Sequence, residues 1–146
     1  MRNVTRLRHD DSGTAVVEAV WAAMALGALL LLLMAGGRVV VARQAVEATA
    51  AQSARAASIA RTQNEARVAA EGAATTGISE QGLRCVTSQV IVDVSEFAAP
   101  AGTPASVQVT VRCQVDLSDL TAIPGMPGSV DVSATAQSPL DTYRER

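Results

Sequence analysis

Hydrophobic and polar positions fall into three regimes along this chain. From Ala19 to Gly37 the stretch AVWAAMALGALLLLLMAGG carries no charge, and its centre, Leu29 to Leu33, is unbroken leucine. As a helix, residues 19–37 rise about 1.5 Å each and cover roughly 28 Å, close to the hydrocarbon thickness of a bilayer. A buried helix of a water-soluble core is the competing reading. The rest of the chain is too small and alanine-rich to wrap that leucine run. The segment therefore reads as a membrane span, with Glu18 placed just before it. A carboxylate at the mouth of a span costs free energy unless something partners it, which makes Glu18 a candidate functional residue.

The second regime covers residues 38 to 74. It is rich in alanine, the best helix former, and has no proline or glycine before Gly72. Arg43 and Glu47, Arg61 and Glu65, and Arg67 and Glu71 stand four apart and can meet on one helix face. The expectation is one long helix over 14–74, fraying at the glycine and threonine cluster between Gly72 and Gly77, with a possible break at Gly36-Gly37. Ala50, Ala54 and Ala57 offer a smooth stripe, either for close packing or as part of a solvated face. No sustained heptad points to a long coiled coil.

The period then drops to two. Val86, Val90, Val92 and Val94 share one face of a first strand. Val107, Val109, Val111, Cys113, Val115 and Leu117 share one face of a second. Val130, Val132, Ala134 and Ala136 do so in a third, and the turn-rich stretches APAGTP and IPGMPG separate the strands. This alternation predicts three half-buried antiparallel strands. A lone three-stranded sheet needs a cover for its apolar face. The outer part of the long helix is the candidate. The fold class expected is α+β: a long N-terminal helix, transmembrane and then extracytoplasmic, followed by a small C-terminal antiparallel sheet. The segments are 1–13 leader, 14–74 helix with the span at 19–37, 75–84 linker, 85–140 sheet module and 141–146 tail.

Composition sharpens this picture. The chain has 146 residues, net charge -2, and 2% aromatic residues, namely Trp21, Phe97 and Tyr143. Much of its apolar content is alanine and valine, which make thin cores, so an elongated protein with a small folded part is expected. The mild charge gives no reason to expect a nucleic acid partner. Arginines flank the span almost evenly, with Arg2, Arg6 and Arg8 before it and Arg38, Arg43 and Arg55 after it. A secretory signal cut near Val40-Val41-Ala42 is the other way to read the segment, but its apolar run is longer than such signals have.

Cys85 and Cys113 are the two cysteines. The first strand buries even positions and the second odd ones, so opposed residues must have an odd index sum. Cys85 and Cys113 sum to an even number and cannot face each other across a regular hairpin. A disulfide needs Cys85 just before the strand, or a bulge between. The disulfide is favoured over two separate buried thiols, because an exported, core-poor domain gains most from one.

Catalytic constellations are missing from the sequence. His9 is the sole histidine, there is no lysine, and no phosphate loop or nucleophile elbow occurs. Two cysteines without histidine neighbours make a poor zinc site. Asp10 and Asp11 read as solvated charges, and Asp116 and Asp119 as a strand end and its turn. The chain is therefore expected not to be an enzyme, with no cofactor, metal or small-molecule substrate.

A short arginine-containing leader ends in Gly13, Thr14 follows it, and Glu18 stands five residues past the glycine, ahead of the apolar helix. This resembles the type IV prepilin signal, which a prepilin peptidase cuts after the glycine on the cytoplasmic side. VARQAVEATAAQSARAAS (41–58) and VTVRCQVDLSDLTAIPGMPGSVDVSATAQSPLDTYR (109–144) extend the likeness. Together they resemble the TadE family of pilus assembly proteins, pseudopilins of tight-adherence (Flp-type) pilus systems, in its actinobacterial branch. Ala19 stands where the family often has an aromatic residue. The resemblance implies processing at Gly13 and Thr14 and an assembly role for Glu18. It also implies partnership with the membrane, the peptidase, other pilins or pseudopilins, and Tad assembly components. The N-terminus would be cytoplasmic and the C-terminal part extracytoplasmic. An unprocessed, single-pass anchored β module that binds another envelope protein is the alternative.

Overall fold

A computed structural model of the chain describes residues 12–100, 102–120 and 127–141. Residues 1–11, with His9, Asp10 and Asp11, residue 101, residues 121–126 and residues 142–146 lie outside the described residues. The chain is α+β, with helix α1 over Ser12–Ser58, helix α2 over Gln63–Glu80, and strands β1 (Cys85–Asp93), β2 (Ser106–Asp116) and β3 (Ser129–Pro139). It divides into two units, Met1–Met34 and Ala35–Arg146.

In the first unit the described residues form the opening part of α1, and residues 14–34 are all exposed. The remainder of α1 belongs to the second unit, together with α2 and the sheet. The helix passes through Gly36-Gly37 without interruption.

The single helix expected over 14–74 is instead two helices, broken between Ser58 and Gln63. The reason lies in TQNE, residues 62–65. The Thr62 hydroxyl accepts from the Glu65 amide, while the Glu65 carboxylate accepts from the amides of Arg61 and Thr62. This capping box satisfies backbone donors that a new helix start would otherwise orphan. Glu65 thus serves its own helix terminus rather than the Arg61 guanidinium.

The expected fraying at Gly72–Gly77 and the linker 75–84 also give way. α2 runs through both glycines to Glu80. It stops at Gly82, which has φ +63°; the Gly82 amide donates to Ser79 O at 3.1 Å and the Leu83 amide to Ile78 O at 3.1 Å. These two bonds are a Schellman motif, whose left-handed position suits glycine.

α1 and α2 form an antiparallel hairpin. Gln81 Nε2 donates to Ala45 O and to Thr49 Oγ1, both at 3.1 Å, and Thr49 in turn faces Gly77. Ala50, Ala54 and Ala57 of α1 and Ala66, Ala70 and Ala74 of α2 are fully buried. Both helices therefore cover the sheet, not the first alone, because doubling back lets two alanine stripes share one face. Thr49 and Ser53 are the buried polar side chains, and Ser53 Oγ donates to Thr49 O at 2.8 Å.

The sheet has the order β1-β2-β3, all antiparallel. β2 alternates as its sequence requires: Val107, Val109, Val111, Cys113 and Val115 are buried, and so is Leu117 just beyond it. Val132 of β3 is buried as well, with Val130, Ala134 and Ala136 packed partly against the same core. Val94 and Phe97 close one end of it, from the short 3-10 turn Ser95–Ala98 and the residue before it. The outer face is polar. Thr110 and Thr135 hydroxyls meet at 2.8 Å, and Gln114 Nε2 donates to Ser129 Oγ at 3.1 Å.

Val86 does not join the inner face expected for it and is 60% exposed. The register shifts between Cys85 and Thr87, so Cys85 opposes Val115 while Thr87 opposes Gln114. One extra residue on β1 reverses the parity of everything before it.

The two α2 glycines respond oppositely to added volume. A Cβ on Gly72 meets nothing within 4 Å, whereas one on Gly77 comes to 3.0 Å of the Thr49 side chain. Gly72→Ala should stabilise the full chain by about 0.5–1 kcal/mol through helix propensity. Gly77→Leu should destabilise it by about 1–3 kcal/mol through overpacking. Urea denaturation of both variants in detergent, followed by circular dichroism, measures the two signs.

Candidate functional site

The residues singled out by sequence lie in two places, one in each unit. In the first, Ser12 to Glu18 form the opening turns of α1. Gly13 lies in the first turn. Thr14 and Glu18 are exposed and four residues apart, so they share one face of the helix, about 6 Å apart along its axis. Beyond Glu18 the surface is apolar all round: Val20, Trp21, Met24, Leu26, Leu29, Leu30, Leu32 and Leu33 are each more than half exposed. Exposed apolar area on this scale is unfavourable in water and favourable in a lipid environment. The helix is long and apolar enough to cross a membrane, with a mean hydropathy of 2.3 over its most apolar window and none of that window buried.

In the second unit, Cys85 and Cys113 are joined by a disulfide, with their Cα atoms 5.4 Å apart. The bulge at Val86 is what permits it. Cys85 pairs in register with Val115, two positions from Cys113, and the shifted parity turns its side chain to the inner face. Cys113 is buried and Cys85 half-buried. The bridge staples the start of an edge strand to the central strand.

Asp116 and Asp119 sit where the sequence places them, at the end of β2 and in the 3-10 turn Ser118–Leu120. Asp119 carries a role that no local pattern announced. Its carboxylate forms an ion pair with Arg38, 81 residues earlier in the chain. A partner at that separation has no signature in a single sequence.

The Asp116 carboxylate accepts from the Ser118 amide at 2.9 Å, and Asp93 accepts from the Ser95 amide at 3.0 Å. These backbone bonds, then the Ser118 and Ser95 side chains, hold both carboxyls below the ordinary aspartate range. Arg84 and Arg67 act in the same direction more weakly. Neither carboxylate lies in a catalytic arrangement: each tightens its own turn.

The concavity of about 680 Å³ on the outer face of the sheet is lined by side chains such as Thr87, Gln89, Arg112, Gln114 and Asp131. Among the described residues, no group of three histidine, cysteine, aspartate or glutamate side chains is placed to hold a metal ion. The geometry offers an apolar helical surface, a carboxylate at its start, and a stapled sheet.

No family model, curated protein or solved structure matches the chain.

The disulfide closes a loop with a sequence separation of 28 residues. Limiting the unfolded chain in this way is worth roughly 3.5 kcal/mol. The full chain reduced by a thiol reagent, or carrying Cys85→Ser and Cys113→Ser together, should lose about that much in urea denaturation. A second outcome concerns pH. A depressed folded pKa means stability present above the unfolded value and lost as pH falls through the folded one. Asp93 and Asp116 should therefore titrate below the ordinary aspartate range in carboxyl NMR. Their contribution should persist at neutral pH and disappear only in strong acid.

Proposed function

We propose that the chain is a membrane-anchored pseudopilin of TadE type, acting without catalysis in the assembly of a Tad (Flp-type) pilus or a related secretion machine. The observation that carries this reading is the order of features at the start of α1. Gly13, Thr14 and Glu18 occupy one helix that continues without a break into an exposed apolar run. A prepilin peptidase cutting after Gly13 would create a new amine on Thr14, with an ordinary pKa of about 8 and hence mostly cationic at neutral pH. Glu18, one helical turn away, is placed to neutralise that amine within the chain or on a neighbouring subunit. Opposite charges that meet inside a bilayer cost far less than either alone.

On this reading residues 19–37 hold the chain in the cell membrane, with the N-terminus cytoplasmic and the sheet outside. The disulfide supports an oxidising location for the sheet. The partners are the membrane, the peptidase, other pilins or pseudopilins, and the Tad assembly components. The outer unit supplies a small, stapled surface for protein contacts rather than a reaction site.

Expressed in cells with an active prepilin peptidase, the chain should yield a mature N-terminus at Thr14, and Gly13→Ala should abolish it. Mass spectrometry of the membrane fraction reads this directly. An N-terminus that stays at Met1 in such cells overturns the proposal in favour of an unprocessed anchored module. Glu18→Ala should leave cleavage intact and impair piliation; normal piliation would remove the assembly role of Glu18.

A further inference from the structure

A groove of about 440 Å³ lies on the second unit, where the last residue of the uncharged run, Gly37, forms part of its wall. Val41 and Leu83 add apolar surface, and Arg38, Arg84 and Asp116 add charge. The volume falls in the range of about 300–1,000 Å³ common to small-molecule clefts. Its location follows from the span. If residues 19–37 cross the hydrocarbon, then Gly37 and Arg38 lie at headgroup level on the outer side. Gly37, the last residue of that run, is itself part of the groove's lining.

The charges of the groove are organised by backbone bonds. The Asp116 amide donates to the Arg84 carbonyl at 3.0 Å, which fixes these two residues side by side. Asp116 Oδ1 accepts from the Ser118 amide, which orients the carboxylate. Arg38 is engaged by Asp119, so its charge is balanced. Arg84 is exposed. The rim therefore presents one guanidinium beside one carboxylate, next to an apolar wall formed by Val41 and Leu83. A purely anionic headgroup could set its phosphate on Arg84 but would bring no cation to Asp116 beside it. A headgroup with both a phosphate and a primary ammonium matches both charges, and its acyl chains begin where the apolar wall does.

We infer that this groove binds a zwitterionic phospholipid headgroup, with the Arg84 guanidinium on the phosphate and the Asp116 carboxylate accepting from the ammonium. The inference rests on the proposed membrane span and adds to it a lipid preference set by two residues of the outer unit. A primary ammonium donates hydrogen bonds to a carboxylate, whereas a quaternary one has no N–H to donate. Phosphatidylethanolamine is thus preferred over phosphatidylcholine, and over anionic phosphatidylglycerol.

The test uses the full chain in nanodiscs of equal parts phosphatidylethanolamine, phosphatidylcholine and phosphatidylglycerol. Lipids retained after detergent release are counted by native mass spectrometry. Phosphatidylethanolamine should be enriched about threefold to fivefold over each of the others, the scale of one solvent-exposed charge pair. Asp116→Asn should abolish the preference over phosphatidylcholine, and Arg84→Gln should reduce retention of all three. An intact disulfide on a non-reducing gel and unchanged circular dichroism show that each variant is folded. Equal retention of the three lipids, enrichment of phosphatidylglycerol, or enrichment unchanged in both variants would overturn the inference. Flotation with the nanodisc fraction separates the two readings. A chain that fails to integrate sinks the span and the lipid site together, while an integrated chain without selectivity sinks the site alone.

Discussion

Thin layers are the constraint on which the folded unit depends. Its core is alanine on the helices and valine on the sheet, with Phe97 as the large aromatic side chain among its described residues. Small side chains fill an interior only when the backbones approach closely, because dispersion falls steeply with distance. The Thr49–Gly77 contact shows this closeness, with no room for even a Cβ at ordinary distance. The Gln81 side chain ties the same crossing by two hydrogen bonds. The capping box at Thr62–Glu65 lets the chain reverse there, and the sheet presents one valine face to two alanine stripes.

Period was legible in the sequence and interruption was not. The alternation in β2 and β3 specified which side chains turn inward, and Val107 through Leu117 obey it. The apolar run marked α1, and the index-sum argument on Cys85 and Cys113 required a bulge or a displaced strand start before the bridge could form. The bulge is present, and Val86 turns outward as its consequence. What escaped was the end of α1. An alanine-rich run without proline or glycine gives no stop signal by propensity, yet TQNE is a capping box that side-chain chemistry alone could have flagged. Gly82 followed by Leu83 likewise marks a Schellman stop that the nearer glycines Gly72 and Gly77 obscured. The Arg38–Asp119 pair could not be read at all, since its partners are joined only by the fold.

The two units solve opposite solvation problems with one continuous helix. From Ala19 to Met34 its side chains are exposed and apolar, a composition suited to lipid. From Ala42 onward one face is buried at intervals of three and four residues, through Ala45, Val46, Thr49, Ala50, Ser53, Ala54 and Ala57. The same backbone thus passes from a surface without a polar side to an amphipathic one. The start of the helix holds the glycine, threonine and glutamate on which the pseudopilin reading turns. The stapled sheet lies at the far end of the sequence.

The strand order has one more consequence. β1 and β3 each pair with the central β2, and the described elements of the second unit neighbour in space the element before or after them in the chain. Contacts between sequence neighbours close short loops, which are quick to form. A chain made from its N-terminal end delivers its parts in the order α1, α2, β1, β2, β3. Each arriving segment then finds its packing partner already in place, and both cysteines are available for bridging before the last strand emerges.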